Sequence, residues 1–532
     1  MIFPRVKKGT VGAYHSINDT VSIYCADAQG ACLLTAVREM MPYLSFVQIE
    51  KREESMLSLT IDTEISVQAE YYELNITDGK CEICAKDYRG LINAFATLTQ
   101  LIKCEDGTFS LPDVEICDYP DAAFRSFMTD PARNLVPMDE MRALILSMAK
   151  SRLNKLHIHL SDGKGFAYES DIFPDLPPAP GGVYSRTELK EIIDYAGLFG
   201  IDVIPEIDVP AHSYATVAWK PQLKCRVKGK DVSSWNMCLG NTATYELIDA
   251  LLGEIAQIFP YEYIHIGTDE MDMRDIKHEP PLTVSHCEEC EVCRSFFLPL
   301  GLDSLRERFY WFVRRVYATV TGLGKKMMMW NDDVDISKSP DIPRDILIEF
   351  WRVAAEQRGP VEGCSMQRFI EEGFEVVNAY FEDTYLCEYA KWDRLKAWDF
   401  RRDPYTPFLG GKQVIGGETC AWEGSNYSHY LYALYFALPA FGDRVWNIHF
   451  VTEDEKARVA LSRAVLGCDT PDGFDLFAYM KSVWLGDARY IKDMIFADGA
   501  DLEQMCRVLR GLTNQSKDER LLTERLIAMS QK

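Results

Sequence analysis

The chain lacks long apolar runs. In 532 residues none reaches the roughly 18 that a membrane-spanning helix needs, so no span is expected. Its opening, MIFPRVKKGTVGAYHSIND, has no apolar core of the kind a secretory signal carries. Positive charge is also short: 57 Lys and Arg stand against 81 Asp and Glu, a formal net charge of −24. Nucleic acid and anionic membrane both need a basic face, so neither is an expected partner. The acidic surplus reads as a well-solvated surface. Low-complexity tracts are missing, and the only internal repeat is the strand-and-helix unit described below. Histidine is scarce, with 9 in the chain. Cysteine is not, at 16, but its residues are scattered through a large chain. That suits reduced thiols in a cytoplasm better than the disulfide framework of a small secreted domain.

What is present is an ordinary globular composition, 47% hydrophobic and 26% charged. Residues 1–117 alternate strand-like and helix-like pieces. VSIYCA and YYELNIT read as strands, and Ala31 to Met41 and Gly90 to Ile102 as amphipathic helices. This predicts a small α/β domain. Over 118–450 short apolar runs alternate with longer helical segments. The runs are FRSFMTD, KLHIHLSD, DVIPEIDV, YIHIGTDE, KKMMMWNDD, ILIEFW, EVVNAYF and VIGGETCAW. Buried parallel strands read as continuous apolar runs. Eight of them with intervening helices predict a (β/α)8 TIM barrel, an α/β fold whose active site lies at the strand C-terminal ends. Ser185 and Glu188 form a capping box before one of the barrel helices. Residues 451–532 are rich in Ala, Leu, Arg and Glu at helical spacing and read as a helical C-terminal region.

The polar residues collect at the strand ends. Strand two offers His157, His159 and Asp162. Two histidines on one strand face suit a metal, yet after His212 and His265 no later strand end supplies a matching histidine. Packed, hydrogen-bonded histidines are the plainer reading. Strand three offers Glu206, Asp208 and His212, an acid–imidazole set able to tune a proton donor or to fix a loop. Strand four ends in adjacent Asp269 and Glu270, where like charge favours one protonated carboxyl as general acid. Trp330, Trp351 and Trp422 end strands five, six and eight, a ring that suits a sugar-binding box. Arg125 in strand one offers a bidentate contact to hydroxyls, or a buried ion pair.

Taken together, FRSFMTDPARN, KLHIHLSDGKGF, GGVYSRTELKEIIDYAGLFGIDVIPEIDVPAHS, HIGTDE and GGETCAWEGSN resemble glycoside hydrolase family 20, the β-N-acetylhexosaminidases, in order and spacing. The resemblance implies an exo-acting, retaining enzyme with no protein nucleophile and no cofactor. The 2-acetamido oxygen of a terminal β-GlcNAc or β-GalNAc attacks the anomeric carbon and gives an oxazolinium intermediate. Carried over, Glu270 is the general acid and then base, and Asp269 orients the acetamido N–H. Asp162 and His212 form the relay, and Asp208 supports it. Arg125 and His159 bind sugar, and Trp330, Trp351 and Trp422 wall the sugar ring and acetamido methyl. A Tyr-x-Asp motif is implied at strand seven. Here Tyr380 pairs with Glu382, or Phe381 with Asp383; Tyr380 is favoured because the developing acetamido charge needs a hydroxyl. Three departures stand out: Gly163 in place of a second acid, Thr268 in place of a frequent Gly, and Trp422-Glu423-Gly424 in place of Trp-x-Glu. These bear on which hexosamine fits.

Separately, His286, Cys287, Cys290 and Cys293 cluster after strand four. Three cysteines and a histidine suffice for structural zinc. Overlapping CxxC steps strain a tetrahedral site, however, and a loop of reduced thiols is the alternative. The competing functions are an inactive carbohydrate-binding protein on the same barrel and a metal-dependent barrel hydrolase built on His157 and His159.

Overall fold

The computed structural model describes residues 2 and 4–449 apart from 26–29, 106, 233–234, 272–284, 337–339, 353–364, 387–394, 396 and 423–437. The helical region read over 451–532 and Glu423 lie outside the described residues.

The first part is an eight-stranded sheet. The stretches VSIYCA and YYELNIT form its strands Thr20–Cys25 and Tyr72–Thr77. Helices Gly30–Met40 and Tyr88–Leu101 pack against it. The second starts where the Asp87 side chain accepts the Gly90 N–H, satisfying a donor with no partner in the first turn. It buries Leu91, Leu98 and Leu101, each stabilising the fold by about 1.5–3 kcal/mol.

The eight apolar runs are all strands of one closed parallel barrel: β1 (Phe124–Thr129), β2 (Lys155–His159), β3 (Asp202–Glu206), β4 (Tyr263–His265), β5 (Lys326–Trp330), β6 (Leu347–Phe350), β7 (Val376–Asn378) and β8 (Val414–Ala421). Closure pairs Gly416 to Ala421 of β8 with Phe124 to Thr129 of β1. The capping box of Ser185 and Glu188 opens the helix Arg186–Leu198 between β2 and β3.

Side chains fill the barrel in layers. Phe124, Ile204, Met328, Leu347 and Val377 form an apolar plug. Fully buried His157, Glu206, His265, Glu349 and Glu418 form a polar layer. His157 Nδ1 lies 3.0 Å from Glu418 Oε1, and its Nε2 3.3 Å from Glu206 Oε2. Burial pushes this imidazole down, but the two carboxylates outweigh it and hold it up at about 9. A cluster of Met128, Trp330, Ala379, Tyr385 and Cys420 lies toward the mouth.

The sheet domain and the barrel share a charged seam, and here one expectation fails. Arg125 does not reach the mouth. It is the second residue of β1, so it sits at the end of the barrel away from the site. It pairs with Glu70 of the sheet domain and gives Nε–H and Nη1–H to the carbonyls of Arg152 and Ala122. Arg152 pairs with Asp118 at 2.7 Å, and both side chains are fully buried. Asp118 also accepts from Tyr72 Oη and Trp446 Nε1. Buried charges require this degree of pairing.

Candidate active site

The β4 strand ends at His265, and the chain then turns through Gly267, Thr268, Asp269 and Glu270. A Cβ on Gly267 would lie 1.9 Å from Asp208 Oδ1, so only glycine fits. Thr268 and Glu270 take positive φ, +83° and +53°, as does His212 at +50°. For a β-branched residue such as Thr268 this is a real outlier, and it accounts for the usefulness of glycine at that position. Strain of this kind persists only where surrounding bonds over-determine it. They are present. Thr268 N–H donates to Asp208 Oδ1 (3.3 Å), Glu270 N–H to Asp332 Oδ2 (3.3 Å) and Met271 N–H to Asp333 Oδ2 (2.6 Å). Trp235 Nε1–H donates to the Glu270 carbonyl (3.0 Å).

The turn sets both acids beside one imidazole. His212 Nε2 lies 3.3 Å from Asp269 Oδ2 and 3.5 Å from Glu270 Oε2. On its other side, Nδ1 is 2.9 Å from Asp162 Oδ2, and the Trp235 ring packs 4.3 Å away. Burial disfavours the charged imidazole, but Asp269, Asp208 and Asp162 outweigh it and hold His212 well above its ordinary range. Asp269 Oδ1 is buried and makes no hydrogen bond among the described residues. Asp162 continues inward: His159 Nε2 is 3.5 Å from it, and His159 Nδ1 bonds Glu206. The chain Glu206–His159–Asp162–His212 thus runs from the barrel interior to the acids.

Glu270 differs from the expectation that like charge keeps it protonated. Burial does push it up. The bond to His212 and the Arg352 guanidinium, 3.3 Å from Oε1, outweigh burial and hold it down at about 2. It is Asp208 that rises well above the ordinary range, through burial and the Asp269 charge.

Around these acids stands an aromatic box. Trp351 and Tyr385 stack with ring centroids 6.0 Å apart and planes within 4°. Trp422 lies 6.0 Å from Tyr385 and 5.7 Å from Trp330. Trp351 and Trp422 are half-buried, and Trp351 Nε1 makes no hydrogen bond among the described residues. Trp330 is only 1% exposed, and its Nε1–H donates to Glu206 Oε1 (2.9 Å). It is the floor of the box rather than a wall.

Several positions change role. Tyr380 is not the tyrosine of the box. Alternation along β7 turns Val377 and Ala379 inward, and Tyr380 packs instead in the main core beside Tyr405. One helical turn, Phe381–Thr384, with Glu382 half-buried on it, then swings Tyr385 into the box. His159 is fully buried and meets the mouth through Asp162 and the edge of Trp422, 5.0 Å away. Arg133, not Arg125, is the guanidinium of the mouth. It pairs with Asp130 (2.8 Å) and Asp162 (2.7 Å) and lies 5.1 Å from the Trp422 ring. Trp235, Asp332 and Arg352 were also missed. Arg133, Asp332 and Arg352 each follow a barrel strand by a few residues, and that position was the available signal. His157 and His159 share Glu206, 3.3 Å from His157 Nε2.

Comparison with known proteins points to one family. The model for "Glycosyl hydrolase family 20, catalytic domain" matches residues 123–449, and that for its domain 2 matches residues 1–119. The chain is 25% identical over 430 residues to β-hexosaminidase subunit A1 of Dictyostelium discoideum, covering 77% of this chain and 76% of that one. It is 27% identical over 419 residues to β-hexosaminidase subunit alpha of Mus musculus, covering 74% and 73%. Among solved structures, the Bacteroides fragilis β-N-acetylhexosaminidase superposes with a TM-score of 0.72 at 23% identity, over 87% of this chain and 94% of that one. The Vibrio harveyi exo-β-N-acetylglucosaminidase bound to N-acetylglucosamine gives 0.71 at 22%, over 87% and 75%. The catalytic-domain match spans more than half of the residues, and the chain belongs to glycosyl hydrolase family 20.

Proposed function

We propose that this glycoside hydrolase is an exo-acting, retaining β-N-acetylhexosaminidase that removes a terminal β-GlcNAc or β-GalNAc from an oligosaccharide or glycoconjugate. The supporting observation is the pairing of Asp269 and Glu270 on one imidazole, with Asp269 Oδ1 open as an acceptor beside an aromatic box. Asp269 takes the acetamido N–H, and Tyr385 donates its O–H to the acetamido group as charge develops there. The acetamido oxygen then attacks C1 from within the substrate. As the C1–O bond breaks, Glu270 gives its proton to the leaving oxygen. Glu270, now ionised, takes a proton from water, which opens the oxazolinium at C1 with net retention.

In the free site Glu270 is held ionised, so the first step needs a rise in its proton affinity. A sugar supplies it in two ways. It excludes water from the mouth, which disfavours the charged carboxylate, and its N–H neutralises part of the Asp269 charge that holds the His212 imidazolium beside Glu270.

We also propose a cytoplasmic location. No disulfide joins the cysteines among the described residues, a state that a reducing compartment preserves. Fractionation of the source cells checks this.

The test of function is a panel of aryl β-glycosides of GlcNAc, GalNAc, glucose and 6-substituted GlcNAc. Turnover confined to glycosides bearing the acetamido group is expected, with a thiazoline mimic of the oxazolinium binding tighter than GlcNAc. Turnover of the glucoside alone would overturn the reading.

A further inference from the structure

Five buried cysteines meet between the segments that follow β3 and β4. Cys225 and Cys238 come from the first segment; Cys287, Cys290 and Cys293 come from the second. The Sγ atoms of Cys225, Cys238, Cys290 and Cys293 all lie within 4.8 Å of one another. The Cys238 sulfur is 3.4 Å from that of Cys293 and 3.7 Å from that of Cys290. Four thiolates bound at roughly 2.3 Å to a tetrahedral zinc stand about 3.8 Å apart. The cluster already has the dimensions of such a shell.

Spacing alone would also suit packed thiols, since sulfurs in contact sit at similar distances. The backbone separates the two cases. The Arg226 N–H points at Cys290 Sγ and the Gly240 N–H at Cys293 Sγ, each at 3.3 Å. A neutral thiol is a poor acceptor, whereas a metal-bound thiolate takes amide hydrogens well. The second contact is built into the fold. A Cβ on Gly240 would lie 2.5 Å from the Cys293 Cα, so a glycine is what lets the two segments close. The overlapping CxxC steps no longer strain the site either, because two of the four sulfurs come from the β3 side. The side chain of His286 lies outside the described residues, and the shell is complete without it.

We propose that Cys225, Cys238, Cys290 and Cys293 bind one structural zinc ion, which ties the segment after β3 to the segment after β4. Four sulfurs leave no open position, so the ion is structural rather than catalytic. Soft thiolates select zinc over magnesium or calcium. Binding releases the four thiol protons to solvent. Cys287, with its sulfur 3.6 Å from that of Cys225, is the fifth thiol; its carbonyl accepts from Arg308 at 2.8 Å, and it stays outside the shell. The tie reaches the reacting groups. Close to Cys238, Trp235 and Asn236 donate to the carbonyls of Glu270 and Met271, at 3.0 and 3.3 Å.

The test is metal analysis of the intact chain, purified without added chelator. One zinc per chain is expected. Metal-exchanged protein should show the sulfur-to-cobalt charge-transfer band of a tetrahedral tetrathiolate. Cys238→Ser and Cys290→Ser should lose the zinc, and Cys287→Ser should retain it. Protein with far less than one zinc per chain and no cobalt band would overturn the site. So would a disulfide among these residues, or iron in place of zinc. Loss of zinc from Cys287→Ser with retention in Cys225→Ser would overturn the assigned four. The wild-type metal content decides the matter even if the serine variants fail to fold.

Discussion

Two arginines eight residues apart show how the two ends of the barrel use charge. Arg125, at the entry of β1, is closed off. Its guanidinium is matched by Glu70 and two carbonyls, and the neighbouring Arg152 is matched by Asp118. Arg133, past the exit of the same strand, belongs to a set with capacity left over. Among the described residues Asp269 Oδ1 and Trp351 Nε1 make no hydrogen bond, and Thr268, Glu270 and His212 hold strained backbone. A charge paired within the chain and sealed from solvent can only support the fold. Groups left partly unfilled, in a strained frame, are those a substrate can complete. The contrast sorts residues of identical chemistry by what they have left to offer.

The largest effect expected at the open end is that of Glu270→Gln. It should lower kcat on a poor leaving group by about 10⁴-fold, the upper range for general acid–base work, in a chain that still folds. Steady-state kinetics and a melt on the same sample read both. Unchanged turnover would sink the acid assignment. At the closed end the signs reverse. Arg125→Ala strands the buried Glu70 and should reduce stability by about 3–5 kcal/mol in denaturant melts, while the folded fraction keeps its kcat. A normal Tm with lost activity would erase the distinction between the two ends.

Asp269→Asn should cost about 10³-fold in kcat through lost stabilisation of the developing charge, and it should weaken thiazoline binding in parallel. Tyr385→Phe should cost about 10²-fold, whereas Tyr380→Phe, outside the box, should leave kcat nearly unchanged; the reverse pattern would return the role to Tyr380. The smallest effect is on pH dependence. Glu270 is lowered from 4.5 to about 2, so it favours the folded state above 4.5, and that contribution fades as pH falls toward 2. His212, held high, has the opposite sign and supports the fold below its ordinary 6.5, losing its effect as pH rises through the folded value. Melts of wild type and Glu270→Gln should therefore differ above 4.5 and converge near 2.

Much of the barrel was legible because a buried parallel strand must be apolar throughout, and the eight runs announce themselves. HIGTDE was legible because it stands in order with the other strand-end segments that resemble the family. Other features needed geometry. FRSFMTDPARN contains both arginines, and only their distance from the strand's end separates structural Arg125 from Arg133 in the mouth. Tyr380 satisfied a local motif, but the parity of β7 turns it outward, and a single helical turn that no periodicity reveals brings Tyr385 in. Cys225 and Cys238 stand far in sequence from Cys290 and Cys293, so the thiol shell forms only once β3 and β4 lie side by side.

The seam around Arg125 also makes the two domains inseparable in a practical sense. The helix Leu438–Trp446 returns to it, with Trp446 bonded to Asp118 and the Asp121 and Ala122 amides bonded to the carbonyls of Trp446 and Val445. A barrel excised at this point would expose Arg125 and Arg152 without their carboxylates, along with a ragged apolar face. Replacing both arginines with apolar residues of similar volume is the change that would free it, since buried ion pairs tolerate removal of both members far better than of one. Recombination that moved this barrel alone would therefore produce misfolded chains, and the sheet domain would travel with it through any gene rearrangement that survived.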